Sequence, residues 1–270
     1  MPELPEVETI RRQLNERLCG RELISVTLLR SGREAPRGRR FVAALVGKTI
    51  QKIERRAKLL IWRFVDGTVL VAHLKMTGRF VFSNKNYAPS RHDRALFEFT
   101  SGVCLVWSDV RQFGFMHVVK AKALESLLAA YGPEPLSASN EELADRLITP
   151  KTRRVKVALL DQTVIAGIGN IYADEALHRA GLRPTRRLSA LSRADRGRLA
   201  QALKQVLSES LARHGTSAKD YVDTRGERGG FLDFLRVYGR AGAACRACVT
   251  PIKKIVVAQR GTHFCPTCQT

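Results

Sequence analysis

The most specific chemistry in the chain sits near its end. Cys245 and Cys248 form one Cys-x2-Cys pair, Cys265 and Cys268 form a second, and sixteen residues separate the two. Each pair can place two thiolates on one ion. Two such knuckles at the base of a hairpin complete the tetrahedral, all-sulfur shell of structural zinc. The run 255–258 between them is strand-like, which suits a zinc ribbon. Four thiolates close the shell, so one structural Zn2+ is expected, with no position left for a substrate. Disulfides are the alternative, and a reducing compartment disfavours them.

The opposite end reads Met1-Pro2-Glu3-Leu4-Pro5-Glu6. Proline in second place permits removal of the initiator methionine, leaving Pro2 with a free secondary amine. Such an amine titrates at about pH 8, so part of it is neutral and nucleophilic at neutral pH. A secondary amine that attacks a sugar C1′ gives an iminium, a fixed cation that acidifies the C2′ proton and permits loss of the 3′ phosphate. Glu3 is next in line to act as acid or base. A plainer reading stands beside this one. Pro2 and Pro5 could simply set the entry to a helix whose acidic first turn suits its dipole. On the opening alone the plainer reading is preferred.

The elements that must position these ends follow from pattern. Residues 6–19 read as a helix, with Val7, Ile10, Leu14 and Leu18 at helical spacing and Gly20 ending the run. From Leu23 to about Val119 short β-prone runs alternate with turns, as at 59–65, 68–74, 94–100, 103–107 and 113–119. Asp66-Gly67 and Ser101-Gly102 are tight hairpin turns. This spacing indicates an antiparallel sandwich or barrel. Beyond it, helices are expected over 121–131, 140–148, 152–161 and 170–180, and from a Ser192 cap to Arg213. Residues 224–230, TRGERGG, read as a mobile loop. Cys19 and Cys104 read as ordinary small buried residues. There is no internal repeat.

Lysine and arginine number 46 against 25 aspartates and glutamates, a net charge of +21 with a pI near 10.5. A surplus that large repels itself unless a polyanion uses it, and nucleic acid is the commonest polyanion. A solvated basic surface is the bland alternative. No run of 18 apolar residues argues for a membrane span. The charged, amphipathic opening does not read as a secretory leader, so a cytoplasmic, reducing setting is expected.

Seven motifs, in order along essentially the whole chain, resemble formamidopyrimidine-DNA glycosylase. They are MPELPEVET at the start, Ala57-Lys58-Leu59-Leu60, His73-Leu74-Lys75-Met76-Thr77-Gly78, and Ser108-Asp109-Val110-Arg111-Gln112-Phe113-Gly114. Gly132-Pro133-Glu134-Pro135-Leu136, the stretch 166–175 (AGIGNIYADE), and Val237-Tyr238-Gly239-Arg240 complete the set. The resemblance implies an α+β chain of two domains: an N-terminal antiparallel β-sandwich with a leading helix, then a helical part with a helix–two-turn–helix element and a zinc finger. Expected boundaries are 1–131 for the sandwich, 132–150 for a linker, 151–236 for the helix–two-turn–helix part with a lesion-recognition loop within about 215–237, and 237–270 for the finger.

The same resemblance implies a bifunctional glycosylase and AP lyase for 8-oxoguanine and formamidopyrimidines in duplex DNA, acting as a monomer in the bacterial cytoplasm. Pro2 becomes the Schiff-base nucleophile and Glu3 the acid/base. Lys58 assists β-elimination. Arg260, between the cysteine pairs, assists δ-elimination. Met76, Arg111 and Phe113 match the residues that fill the duplex when a base is extruded, a step that costs roughly a few kcal/mol. Periodicity by itself would instead make Met76 and Phe113 core residues. His92, Lys151, Asn170 and Arg260 match DNA-backbone positions, Lys156 a lysine near phosphates, and the 167–170 glycine turn a phosphate nest. This chain departs from the pattern at Lys75, Val110, Gln112 and Arg94, all beside functional positions. Two rivals remain: an endonuclease VIII-like pyrimidine enzyme, and a zinc-ribbon DNA-binding protein without catalysis.

Overall fold

Helix α1 (Leu4–Leu18) opens on a capping box in which the Glu3 side chain accepts from the first turn and the Glu6 carboxylate accepts the Glu3 N–H at 2.8 Å. Pro5 is harmless there because first-turn N–H groups need no intrahelical partner. Val7, Ile10, Leu14 and Leu18 are buried, as their spacing predicts. The structure, a computed structural model, describes residues 1–30, 38–84 and 86–270. Its contacts divide it into two units: Met1–Leu128 with Arg213–Gly230, and Ala129–Ala212 with Phe231–Thr270.

After α1, unit 1 continues through β1 (Leu23–Leu28), α2 (Gly38–Ala43), β2 (Ile50–Arg56), β3 (Leu59–Phe64), β4 (Val69–His73), β5 (Gly78–Ser83), β6 (Asp93–Phe99), β7 (Val103–Asp109), β8 (Phe115–Val119) and the start of α3 (Ala121–Ala129). The strands form two four-stranded antiparallel sheets, in orders β1-β6-β7-β5 and β2-β3-β4-β8. Trp62 of one sheet packs on Phe80 of the other with ring centroids 5.6 Å apart, and Phe80 in turn on Trp107 at 6.5 Å. The core lies there, with Ile10 and Leu14 of α1 in the same apolar cluster. The expected sandwich is present. Ser101 and Gly102 turn with φ of 61° and 72°, and Gly67 with 84°, the left-handed geometry a tight hairpin requires.

Two sequence expectations are corrected in this unit. The strand expected over 113–119 begins at Phe115, because Gln112 at φ 60° bends the preceding loop away from the sheet. The stretch 224–230, read as mobile from its glycines, is a hydrogen-bonded turn. The Asp223 carboxylate accepts the N–H groups of Arg225 and Glu227, both at 2.9 Å, and the Glu227 carbonyl accepts from Asp223 N–H at 2.9 Å.

Unit 2 holds α4 (Asn140–Asp145), α5 (Val155–Leu160), α6 (Asn170–Arg179), α7 (Arg193–Leu211), β9 (Lys253–Val257) and β10 (Arg260–Phe264). Ser192 caps α7 as expected, exchanging hydrogen bonds with Asp195 in a capping box. Gly132 is required where it stands: a Cβ there would lie 2.4 Å from the Val164 carbonyl oxygen. The last two strands form an antiparallel hairpin between the cysteine pairs. No helix among the described residues is long and apolar enough to cross a membrane.

Candidate functional site

In unit 1 the chain start is held from below. Pro2 and Glu3 are buried, while Met1 is exposed. Glu6 does the holding. One carboxylate oxygen takes the Glu3 N–H, and the other takes the Thr216 N–H at 2.7 Å. Gly215, at φ 89°, passes so close to Glu6 that a Cβ would lie 2.7 Å from its Oε1. Lys58 occupies the two-residue turn between β2 and β3 and is also buried, following Ala57 at φ 53°. Arg55 ties that turn to α1: its guanidinium donates to the Ala57 carbonyl at 2.8 Å and to Glu8 at 3.0 Å. Burial would raise the Glu8 carboxyl, but Arg11, Arg12 and Arg55 outweigh it and hold the group below the usual range. Pro2, Glu3 and Lys58 thus share one unit, at the head of α1 and on a turn bound to the same helix.

Met76, Arg111 and Phe113 lie on two loops, not within strands. Residues 74–77 cross from β4 to β5, and 110–114 cross back from β7 to β8. The register sets the crossings side by side, since His73 pairs with Phe115 and Gly78 with Asp109. One residue joins them. The buried Asp109 carboxylate accepts the Thr77 hydroxyl at 2.5 Å and the Gly114 N–H at 2.7 Å, while Thr77 Oγ1 accepts the Arg111 N–H at 2.9 Å. Phe113 is 49% exposed, which overturns the core reading that periodicity alone favoured, and the Arg111 guanidinium sits 4.9 Å from its ring centre. Met76 is half-buried.

The departures fall into place on these loops. Lys75 and Gln112 both hold left-handed backbone, at φ 51° and 60°. The Lys75 N–H donates to His73 Nδ1 at 2.8 Å. Burial, with Lys75 and Lys58 adding to it, pushes His73 down to about 3, so Nδ1 remains an acceptor at any ordinary pH. Arg94 is turned inward and donates twice to the Asp109 carbonyl, at 3.1 and 3.0 Å. Half-buried His92 accepts the Asp109 N–H on its carbonyl at 3.0 Å. Val110 is exposed.

In unit 2 the hairpin β9–β10 presents Arg260, which is exposed, directly after a turn in which Ala258 and Gln259 adopt φ of 48° and 59°. Lys151 is exposed as well. Lys156 is not where a phosphate could meet it. The side chain has no exposed surface; its ammonium bonds Asp174 at 2.6 Å, Thr262 Oγ1 at 2.7 Å and the Gly261 carbonyl at 3.3 Å. That corrects the expectation: Lys156 anchors the hairpin rather than lying beside DNA. Asp174 completes the anchor by accepting the His263 N–H at 2.8 Å, and Asn170 donates to Gly261 at 2.9 Å. The Gly167 N–H, expected in a phosphate nest, is engaged by Gln162 at 2.9 Å.

The four finger cysteines converge, with all Sγ atoms within 4.8 Å of one another. The Sγ–Sγ distances of 3.9 Å (Cys245–Cys268) and 3.4 Å (Cys248–Cys265) are too long for disulfides. They match the edge of about 3.8 Å that a tetrahedral shell with Zn–S bonds of about 2.3 Å requires. Backbone N–H groups of Ala247 and Cys268 point at Cys245 and Cys265 sulfurs, each at 3.4 Å, as thiolates demand. The donor set fits one structural zinc. The other two cysteines differ from each other: Cys104 is buried, but Cys19, expected buried, is exposed at the C-cap of α1. Sequence reasoning singled out neither Glu6, Asp109 nor Asp174, although all three lie inside the motifs that carried the resemblance.

Three family models tile the chain: the formamidopyrimidine-DNA glycosylase N-terminal domain over residues 1–116, the formamidopyrimidine-DNA glycosylase H2TH domain over 131–222, and the zinc finger found in FPG and IleRS over 242–270. Formamidopyrimidine-DNA glycosylase of Desulfitobacterium hafniense is 42% identical over 274 residues, and that of Geobacillus kaustophilus 43% over 278, with both chains covered completely. Among solved structures, a Lactococcus lactis FPG mutant bound to Fapy-dG-containing DNA matches with a TM-score of 0.91 at 34% identity, and MutM bound to DNA with carbocyclic 8-oxo-G with 0.91 at 35%. Each pair covers both chains in full.

Proposed function

The chain belongs to the formamidopyrimidine-DNA glycosylase family, and we propose that it excises oxidised purines from duplex DNA and cleaves the backbone at the same site. One observation carries the reading: the N-terminus is pinned by the buried Glu6 carboxylate, which holds Glu3 beside the head of α1. An amine meant to attack a sugar must be held still, because misplacement by an ångström removes most of the benefit of proximity.

With Met1 removed, the Pro2 nitrogen adds to C1′ as the C1′–N bond to the damaged base breaks and its electron pair leaves with the base. The proton released by the Pro2 nitrogen goes to the departing base, and Glu3 then protonates the ring oxygen O4′ as the C1′–O4′ bond breaks, which leaves an iminium at C1′. The iminium then drains electrons from C2′. Loss of the C2′ proton expels the 3′ phosphate, and a second elimination releases the 5′ phosphate. Lys58 serves the first elimination and Arg260 the second. Met76, Arg111 and Phe113 fill the gap in the stack, while His92, Lys151 and Asn170 meet the backbone. Lys156 acts through the hairpin that carries Arg260. Part of the segment 215–237 closes over the extruded base. Zinc, held by Cys245, Cys248, Cys265 and Cys268, keeps that hairpin folded. A monomer in the bacterial cytoplasm is the setting this supposes.

Borohydride trapping on a duplex with one 8-oxoguanine opposite cytosine tests the reading, with a thymine-glycol duplex and Pro2→Gly alongside. We expect a covalent adduct on 8-oxoguanine that Pro2→Gly abolishes. Adduct on thymine glycol alone would move the chain to oxidised pyrimidines. Tight binding with no adduct on either would leave a DNA-binding protein without this catalysis.

A further inference from the structure

Helix α6 meets the finger along one face. Asn170, Asp174 and His178 recur at a spacing of four and stand one above another. Asn170 and Asp174 reach the hairpin, at the Gly261 carbonyl (2.9 Å) and the His263 N–H (2.8 Å). Glu175, one place along, accepts the N–H groups of Arg236, Val237 and Tyr238 at 2.8, 2.9 and 2.8 Å. His178 reaches the cysteines themselves. Its Nε2 lies 3.7 Å from Cys245 Sγ, and among the described residues no other side chain from outside the finger bonds to a finger sulfur. The imidazole is buried, and its Nδ1 has no hydrogen-bond partner among the described residues. A proton on Nδ1 would strand a buried donor and turn the Nε2 lone pair toward a sulfur that is anionic when it holds metal. A proton on Nε2 leaves only a lone pair unmet and gives the sulfur a donor.

Cys245 needs that donor. Zinc with four thiolates is an anion overall, and the charge resides on the sulfurs. Cys248 and Cys268 are half-buried and within reach of water, whereas Cys245 and Cys265 are buried. A buried anionic sulfur must be met by donors from the protein, because leaving it bare is costly. The Ala247 N–H supplies one donor to Cys245, and the His178 ring supplies the other. We propose that His178 is a positioning residue of the zinc centre: its Nε2–H donates to the Cys245 thiolate and sets how tightly the finger keeps its metal. Docking of the finger on α6 does not depend on it, since Asn170, Asp174 and Glu175 hold the hairpin and the segment before the finger by bonds of their own. The role of His178 is retention of metal, not placement of Arg260. It stands apart from the glycosylase reading and touches that chemistry only through the hairpin that zinc keeps folded.

Two measurements on the full-length protein test this. The first is NMR of the wild type, loaded with a spin-active cadmium isotope in place of zinc and labelled at histidine nitrogen. The His178 ring proton is expected on Nε2 and coupled to the metal through the hydrogen bond to sulfur. A proton on Nδ1, or no coupling, would overturn the proposal. The second is competition for zinc against a chromogenic chelator. His178→Phe keeps a planar ring and removes the donor, and should weaken zinc binding by about tenfold or more. His178→Gln sets an amide nitrogen as many bonds from the backbone as Nε2 and should recover most of that loss. Amide exchange at Val237, Tyr238 and His263 in the zinc-loaded Phe variant should match the wild type, because their acceptors on α6 are untouched. Unchanged zinc affinity, or a loss that Gln does not recover, would make His178 a packing residue and overturn the proposal. Faster exchange at all three amides would do the same, by showing that the side chain supports the docking of the finger.

Discussion

Lys156 is a cation with no exposed surface, and its stability depends on every one of its three partners staying in place. Breaking a buried pair by removing one partner leaves the other charge unpaired, a loss of about 3–5 kcal/mol. Lys156→Met should therefore lower unfolding stability by about that amount in urea titration, by stranding Asp174. A change within about 0.5 kcal/mol, the range of ordinary surface substitutions, would mean that the ammonium does not hold the hairpin. At this scale the sequence located residues far better than roles. Lys156 was expected near phosphates because the resemblance places a lysine there. What buries it comes from Asp174 and Thr262, 18 and 106 residues away, and no local pattern announces partners so distant. Arg94 was opaque for the same reason: its acceptor is a backbone carbonyl, which has no letter in the sequence. The cysteines were transparent because zinc ligation imposes a spacing.

Among elements, the paired crossings between the two sheets show how a sandwich makes a stiff projection out of loops. Each loop contributes a residue with left-handed backbone, and Asp109 bonds both. Asp109→Ala removes acceptors for a hydroxyl and an amide that have little access to water. It should destabilise the protein by about 2 kcal/mol and slow excision of 8-oxoguanine from a duplex by about tenfold, one 1.4 kcal/mol step. Cleavage of an abasic site in single-stranded DNA needs no wedge and should change little. Parallel loss on both substrates would limit Asp109 to a role in folding. Strands such as β3 and β4 were legible because apolar runs ended at tight turns. Strand β2, IQKIERR, was not singled out, since only Ile50 and Ile53 of its seven residues turn fully inward and the rest are polar or charged. The 224–230 turn was misread because glycine content reports backbone freedom, whereas Asp223 and Gln13 supply the restraint.

Over the whole molecule, the charge of +21 was the most legible feature and the least local. It predicts that binding to duplex DNA weakens with salt by about 0.9 log units per phosphate contacted for each decade of concentration. Affinity that barely changes between low and moderate salt would mean that the surplus lies away from the DNA. The division into units was harder to read, because unit 1 is not continuous in sequence. Tyr221 belongs to the apolar core of the sandwich, and Thr216 and Thr224 bond to α1, although more than eighty residues of unit 2 intervene. That arrangement has a consequence for how the protein is made. All eight strands of the sandwich have been synthesised by Leu128, yet the segment that seals them emerges only with Gly230. At bacterial elongation rates of about 5–20 residues per second, the nascent sandwich waits roughly five to twenty seconds, unsealed, on the ribosome. A fragment ending at Leu128, which lacks Tyr221 and the partners of Glu6 and Gln13, should be cut faster than the intact protein in limited proteolysis.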